Sequence, residues 1–121
     1  MDIESIRDYC LSLPLTSEDT AFGEDYLLFR VCDKIFACYG FKLEDYFVVK
    51  CDPDYAIDLR DRHDEITPAW HWNKRHWNQI SLHGNLSDET IISLIRHSYS
   101  EVVKKLPKRL KADCPEICDI Q

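Results

Sequence analysis

Three runs rich in β-branched and aromatic residues, Tyr26–Cys32, Ile35–Tyr39 and Tyr46–Cys51, follow one another with very short breaks. The first break is Asp33-Lys34 and the second runs from Gly40 to Asp45. A crossover between parallel strands takes about a dozen residues or more, so these connections leave only antiparallel neighbours. Any fold open to this chain therefore contains an antiparallel sheet, and the flanking segments must supply whatever covers it.

Those segments read as helices. Asp2 is placed to cap a first helix whose Ile3, Ile6, Cys10 and Leu13 share one stripe, and Pro14 cannot continue it. In Cys51-Asp-Pro-Asp-Tyr55, Asp52 suits an N-cap, Pro53 the first helical position and Asp54 the positive end of the dipole. Tyr55, Ala56 and Leu59 of this middle helix then face the sheet. Two further extended segments are expected near Ile66–Trp70 and Trp77–Leu82, before a turn at His83-Gly84-Asn85 and a long helix capped by Ser87. Its apolar face is Ile91, Ile92, Ile95, Tyr99, Val102, Val103 and Leu106, while Ser93, His97, Ser100 and Lys104 point to solvent. The predicted order is helix, three strands, helix, two strands, helix. This is an α+β fold, with helices packed on one face of an antiparallel sheet.

A chain of 121 residues, 45% of them hydrophobic, suffices for one core, so we expect one domain over residues 1–112 and a short C-terminal tail over 113–121. The first ten residues, MDIESIRDYC, carry acids where a secretory signal carries bases, and no apolar run approaches the roughly 20 residues that cross a bilayer. A cytoplasmic protein without a membrane partner is expected. In that compartment Cys10, Cys32, Cys38, Cys51, Cys114 and Cys118 should be reduced.

Little suggests catalysis. With only Gly23, Gly40 and Gly84, neither a phosphate-cradling loop nor a dinucleotide fingerprint can be written. The one enzyme-like feature is Cys51, where the start of a helix would lower a thiol pKa; burial in the core is the competing reading. His71 and His76 lie on opposite faces of a regular strand and about 140° apart on a helix, so a shared metal needs a bent loop. In CPEIC, Pro115 lies between Cys114 and Cys118, with no second ligand pair. No enzyme, cofactor or metal is expected.

Charge bears more on binding. The net charge of −7 opposes an undirected polyanion binder, yet its distribution is uneven. Residues 1–60 carry 6 Lys/Arg against 13 Asp/Glu, whereas residues 66–112 carry 8 against 3, which leaves room for a local basic surface. The stretch Pro68–Asn78, PAWHWNKRHWN, holds all three tryptophans. Trp70, Trp72 and Trp77 are expected to act as structural support, at least two of them closing the core between the last strands and the last helix. Asn73, Lys74, Arg75 and His76 would then stand on an exposed tip where Arg75 grips phosphate with two donors. Lys104, Lys105, Lys108, Arg109 and Lys111 either end a helix favourably or extend that tip into one basic surface.

The helix ending in SLP, the FGED after it, KCDP, WHWNKRHWN and LIRHSYSEVVKKLPK together resemble, in order, the MmcQ/YjbR family of small bacterial proteins. The resemblance runs from about Ile3 to Lys111. It implies a two-layer α/β arrangement similar to type III secretion chaperones and described as CyaY-like. The family is commonly labelled DNA-binding by analogy between folds, and no catalytic set is attached to it. This chain departs from the family pattern at Trp72, where methionine is frequent, at the turn His83–Asn85, and in the Cys-containing tail. Two readings follow: a non-catalytic DNA-binding module acting through a local basic patch, or a chaperone-like module binding another protein or a small ligand.

Overall fold

The computed structural model describes residues 1–42 and 46–119; the expected break between Gly40 and Asp45 falls partly outside them. Helices α1 (Ile3–Ser12), α2 (Pro53–Arg62) and α3 (Asp88–Lys104) each begin where a side-chain oxygen reaches a free amide. Asp2 accepts the Ser5 N–H at 2.9 Å, Asp52 the Tyr55 N–H at 3.1 Å and Ser87 the Thr90 N–H at 3.1 Å. All three are the caps expected from sequence. A short helix α4 (Lys108–Asp113) and a 3₁₀ turn (Pro115–Asp119) follow.

Six strands, β1 (Thr16–Asp19), β2 (Tyr26–Val31), β3 (Lys34–Gly40), β4 (Tyr46–Lys50), β5 (Ile66–Pro68) and β6 (Trp77–Ser81), form one antiparallel sheet ordered β1-β2-β3-β4-β6-β5. The element order thus differs from expectation: four strands, not three, precede α2, and two short helical pieces follow α3. Thr16-Ser-Glu-Asp19 has no apolar residue and gives no strand signal. It is held at the sheet edge by its ladder with β2 and by charged pairs, Arg7 of α1 with Glu18 and Arg30 of β2 with Asp19, each at 2.5 Å. Cys32 leaves the predicted strand for a tight two-residue turn, where it and Asp33 have φ of 48° and 69°.

Strand alternation divides the apolar residues between two faces. Phe29, Val31, Ala37, Phe47, Val49, Ile66 and Ile80 join Ile6 and Cys10 of α1, Ala56 and Leu59 of α2 and the apolar stripe of α3 in the main core. Ile117 of the 3₁₀ turn is fully buried in this core, so the C-terminal segment docks on the body of the domain. Leu28, Cys38 and Val48 point to the other face, which carries no helix among the described residues, and yet they too are buried.

Candidate functional site

The helix-free face is covered by the connection between β5 and β6. Residues 69–76 fold back so that Ala69, Trp72 and Trp77 pack over Leu28, Cys38 and Val48, with Tyr26 and Ile35 at the margin. The Trp72 and Trp77 rings lie 4.6 Å apart, and Phe22 extends the row at 5.9 Å from Trp72. The tryptophans therefore do not close the core between the last strands and the last helix. The reason is parity: Asn78 and Ile80 are the residues of β6 buried on the helical side, and Trp77, next to Asn78, must point the opposite way. Trp70 stands apart from this buried cluster: it is 60% exposed, with the Lys74 ammonium 4.5 Å from the centre of its ring.

The loop is held from both sides. Ala69 N–H donates to the Trp77 carbonyl, Trp72 N–H to that of Ala69 and Trp77 N–H to that of Asn73, all at 2.9–3.1 Å. Asn73, expected on the exposed tip, turns its Oδ1 onto the Arg75 N–H at 3.0 Å in a turn-forming bond. From α2, Arg60 donates Nε to Asn78 Oδ1 at 2.7 Å and Nη2 to the Lys74 carbonyl, while Asn78 Nδ2 donates to the Ala56 carbonyl at 3.4 Å. Arg60 thereby locks the back of the loop to the helical layer. In the sequence Arg60 gives no signal beyond a basic residue in the last turn of a helix. Lys74 and Arg75 stand exposed as expected, whereas His76 is half-buried and its carbonyl accepts the Cys51 N–H at 2.7 Å.

Beside this face, the start of β3, the end of β4 and the end of α3 enclose a groove of about 210 Å³ whose charged lining is Lys34, Lys50 and Lys105 over Val102 and Leu106. Partial burial and then the charge of Lys105 lower the proton affinity of Lys50, with Glu101 acting in the opposite direction. The Lys50 ammonium also sits 6.0 Å from the Trp77 ring, and Lys50 is paired with Trp77 across the sheet. Lys34 and Lys50 were missed because each stands alone in its strand; only the β3–β4–β6 register brings them to Lys105 and Trp77. The other expected cations are divided. Lys104 pairs with Glu101 at 2.5 Å and Lys111 donates to the Lys104 carbonyl at 2.9 Å, both lining a separate cleft beside α3, while Lys108 and Arg109 stand exposed on α4.

The titratable groups elsewhere are tuned by burial. Cys51 is buried and its thiol is pushed up to about 12, the opposite of an activated nucleophile. Burial also raises Cys10 and Cys38 to about 12, and all six cysteines are free. His97 is not a solvated residue: it is half-buried, its Nε2 accepts the Asp52 N–H at 3.1 Å and its ring meets Tyr55 edge-on at 4.9 Å. Among the described residues no three His, Cys, Asp or Glu side chains are grouped to hold a metal, and no helix is long and apolar enough to cross a membrane.

A family model described as YjbR matches residues 11–101. The uncharacterized protein YjbR of Escherichia coli (strain K12) is 31% identical over 110 residues, which cover 89% of this chain and 92% of that protein. The uncharacterized protein YbdF of Escherichia coli O157:H7 is 27% identical over 107 residues, 88% of each chain. Among solved structures, Deinococcus radiodurans protein DR2400, with a DUF419 domain, superposes with a TM-score of 0.85 at 29% identity, covering 93% of this chain and 86% of that one. A Pseudomonas syringae protein superposes at 0.70 and 31% identity over 81% of this chain and 96% of its own.

Proposed function

The chain belongs to the YjbR family, and we propose that it is a non-catalytic module that binds single-stranded DNA across the helix-free face of its sheet. One observation carries this reading: cations and aromatic rings are paired on that face, Lys74 over the exposed Trp70 and Lys50 beside Trp77, with Lys34 and Lys105 adjoining. Such a surface suits a strand whose bases stack on aromatic rings while its phosphates follow the lysines. An unpaired base fits better than a duplex, because the helices pack behind the sheet and none is presented on this face for a groove. The net charge of −7 keeps long-range attraction weak, so the affinity is modest and strongly dependent on salt.

The test is titration of labelled oligothymidylate and of the matching duplex between about 50 and 200 mM salt. Single strands should bind more tightly than duplex. Replacing Lys50 and Lys105 together by alanine should reduce the slope of log affinity against log salt by roughly 1.4, at about 0.7 per phosphate contact on a single strand. Trp70→Ala should weaken binding by about 1–3 kcal/mol, the value of one stacked base. Absence of binding at the lowest salt, or equal losses from Lys108→Ala and Arg109→Ala on α4, would remove the proposal and leave protein or small-ligand binding as the better reading.

A further inference from the structure

On the helical side, behind the sheet, α2, α3 and the C-terminal segment leave a cleft of about 540 Å³. That volume lies within the range of about 300–1,000 Å³ typical of small-molecule sites. Its floor is Val103 of α3 and Ile117 of the 3₁₀ turn, both buried members of the main core. One wall is formed by Tyr55 and His97, and Lys104 and Lys111 bring two ammonium groups. Among the described residues no carboxylate lines it.

We propose that this cleft binds a small organic carboxylate with an apolar body. The lining is rich in donors. An ammonium has three N–H donors; Lys104 commits one to Glu101 and Lys111 one to the Lys104 carbonyl, so both retain donors for an anion. His97 adds another. Because its Nε2 accepts the Asp52 N–H, that nitrogen carries no proton, and the neutral ring holds its hydrogen on Nδ1 as a donor. Burial favours this neutral form, with Lys104 acting in the same direction and Glu101 and Asp52 acting against it. A carboxylate, which only accepts, matches this set, and an apolar body matches Val103, Ile117 and the Tyr55 ring. The site is independent of the DNA reading, since it lies on the other side of the sheet and uses none of the residues assigned to that face.

Benzoate and hexanoate are suitable probes, with benzamide and hexanol as neutral counterparts, followed by NMR of the His97 imidazole and Tyr55 ring resonances. Both carboxylates should produce saturable shifts, and bound carboxylate should raise the apparent pKa of His97 by placing a negative charge beside it. The neutral counterparts should bind roughly tenfold more weakly or worse, having lost the charge-assisted bonds. Lys111→Ala should weaken the carboxylates without a matching loss for the neutral probes. Ser93→Trp, from an exposed position lining the cleft, should block all of them. Melting temperatures of both variants check that the fold is intact, and Lys111→Ala alone decides the charge assignment if Ser93→Trp disturbs it. The proposal is overturned if sodium chloride at equal ionic strength reproduces the shifts, or if acids and neutral probes bind equally well.

Discussion

Ser98 is a polar residue buried without exposure on the sheet-facing side of α3, and replacing it tests how α3 is joined to the sheet. The β3–β4 ladder pairs Tyr39 with Phe47 and Ala37 with Val49, and its ordinary register stops there. Two residues on, Cys51 turns its N–H toward the His76 carbonyl on the β6 side, so the N–H of Lys50 between them faces β3. The Ser98 hydroxyl fills the gap: it accepts the Lys50 N–H at 2.8 Å and donates to the Phe36 carbonyl. Ser98→Ala removes one oxygen and strands a buried carbonyl and a part-buried N–H, each costing about 1–3 kcal/mol when unpaired. Part of that is offset because a hydroxyl no longer has to be buried, so the net loss should be about 2–4 kcal/mol. Against a total stability of about 5–15 kcal/mol this is large, and it should lower Tm by roughly 10 °C. Urea unfolding followed by tryptophan fluorescence measures it, with exposed Ser93→Ala on the same helix as a control expected within about 0.5 kcal/mol of wild type. If Ser98→Ala loses no more than Ser93→Ala, the hydroxyl does not bridge the strands and the reasoning fails.

Asp52→Ala should cost about 1 kcal/mol in the same assay through loss of the cap on Tyr55 N–H, while the Asp52 N–H remains able to bond His97. Arg60→Ala should release the back of loop 69–76, moving tryptophan emission to longer wavelength and increasing quenching by acrylamide; unchanged emission would mean that Arg60 does not hold the loop. His97 has a folded pKa below its ordinary value, so the unfolded chain binds the proton more tightly and stability rises with pH through this group. Its contribution should be complete above about pH 6.5 and fall away as the pH drops through the lower folded value, a slope that His97→Gln should reduce in pH-dependent melts.

The main core and all three long helices were legible because their signals are local. Asp2, Asp52 and Ser87 each stand where a cap is needed, and the stripe from Ile91 to Leu106 repeats at helical spacing. Strand β1 was not legible, since Thr16–Asp19 owes its place to partners on α1 and β2 rather than to apolar residues of its own. The aromatic segment was recognised as support, but its face depended on the parity of Trp77 relative to Asn78, and the burial of Asn78 by Arg60 and Ala56 is a tertiary fact. His97 was misplaced for a related reason. It lies off the apolar stripe of α3, and only the arrival of α2 beside it brings the Asp52 N–H and the Tyr55 ring. The cations show the same limit. Lys74-Arg75 and Lys104-Lys105 are visible as runs, whereas Lys34 and Lys50 enter the site through strand register alone.

The assignment of DNA to the helix-free face is tested most directly by photo-crosslinking. An oligonucleotide carrying a halogenated uracil, bound at low salt and irradiated, reports by mass spectrometry which side chain stacks on the base. The account predicts adducts within residues 69–77, foremost on Trp70, suppressed by excess unlabelled single strand and by Trp70→Ala. Adducts confined to Tyr55 or the α4 segment on the helical side, or no adduct that single strand competes away, would contradict it.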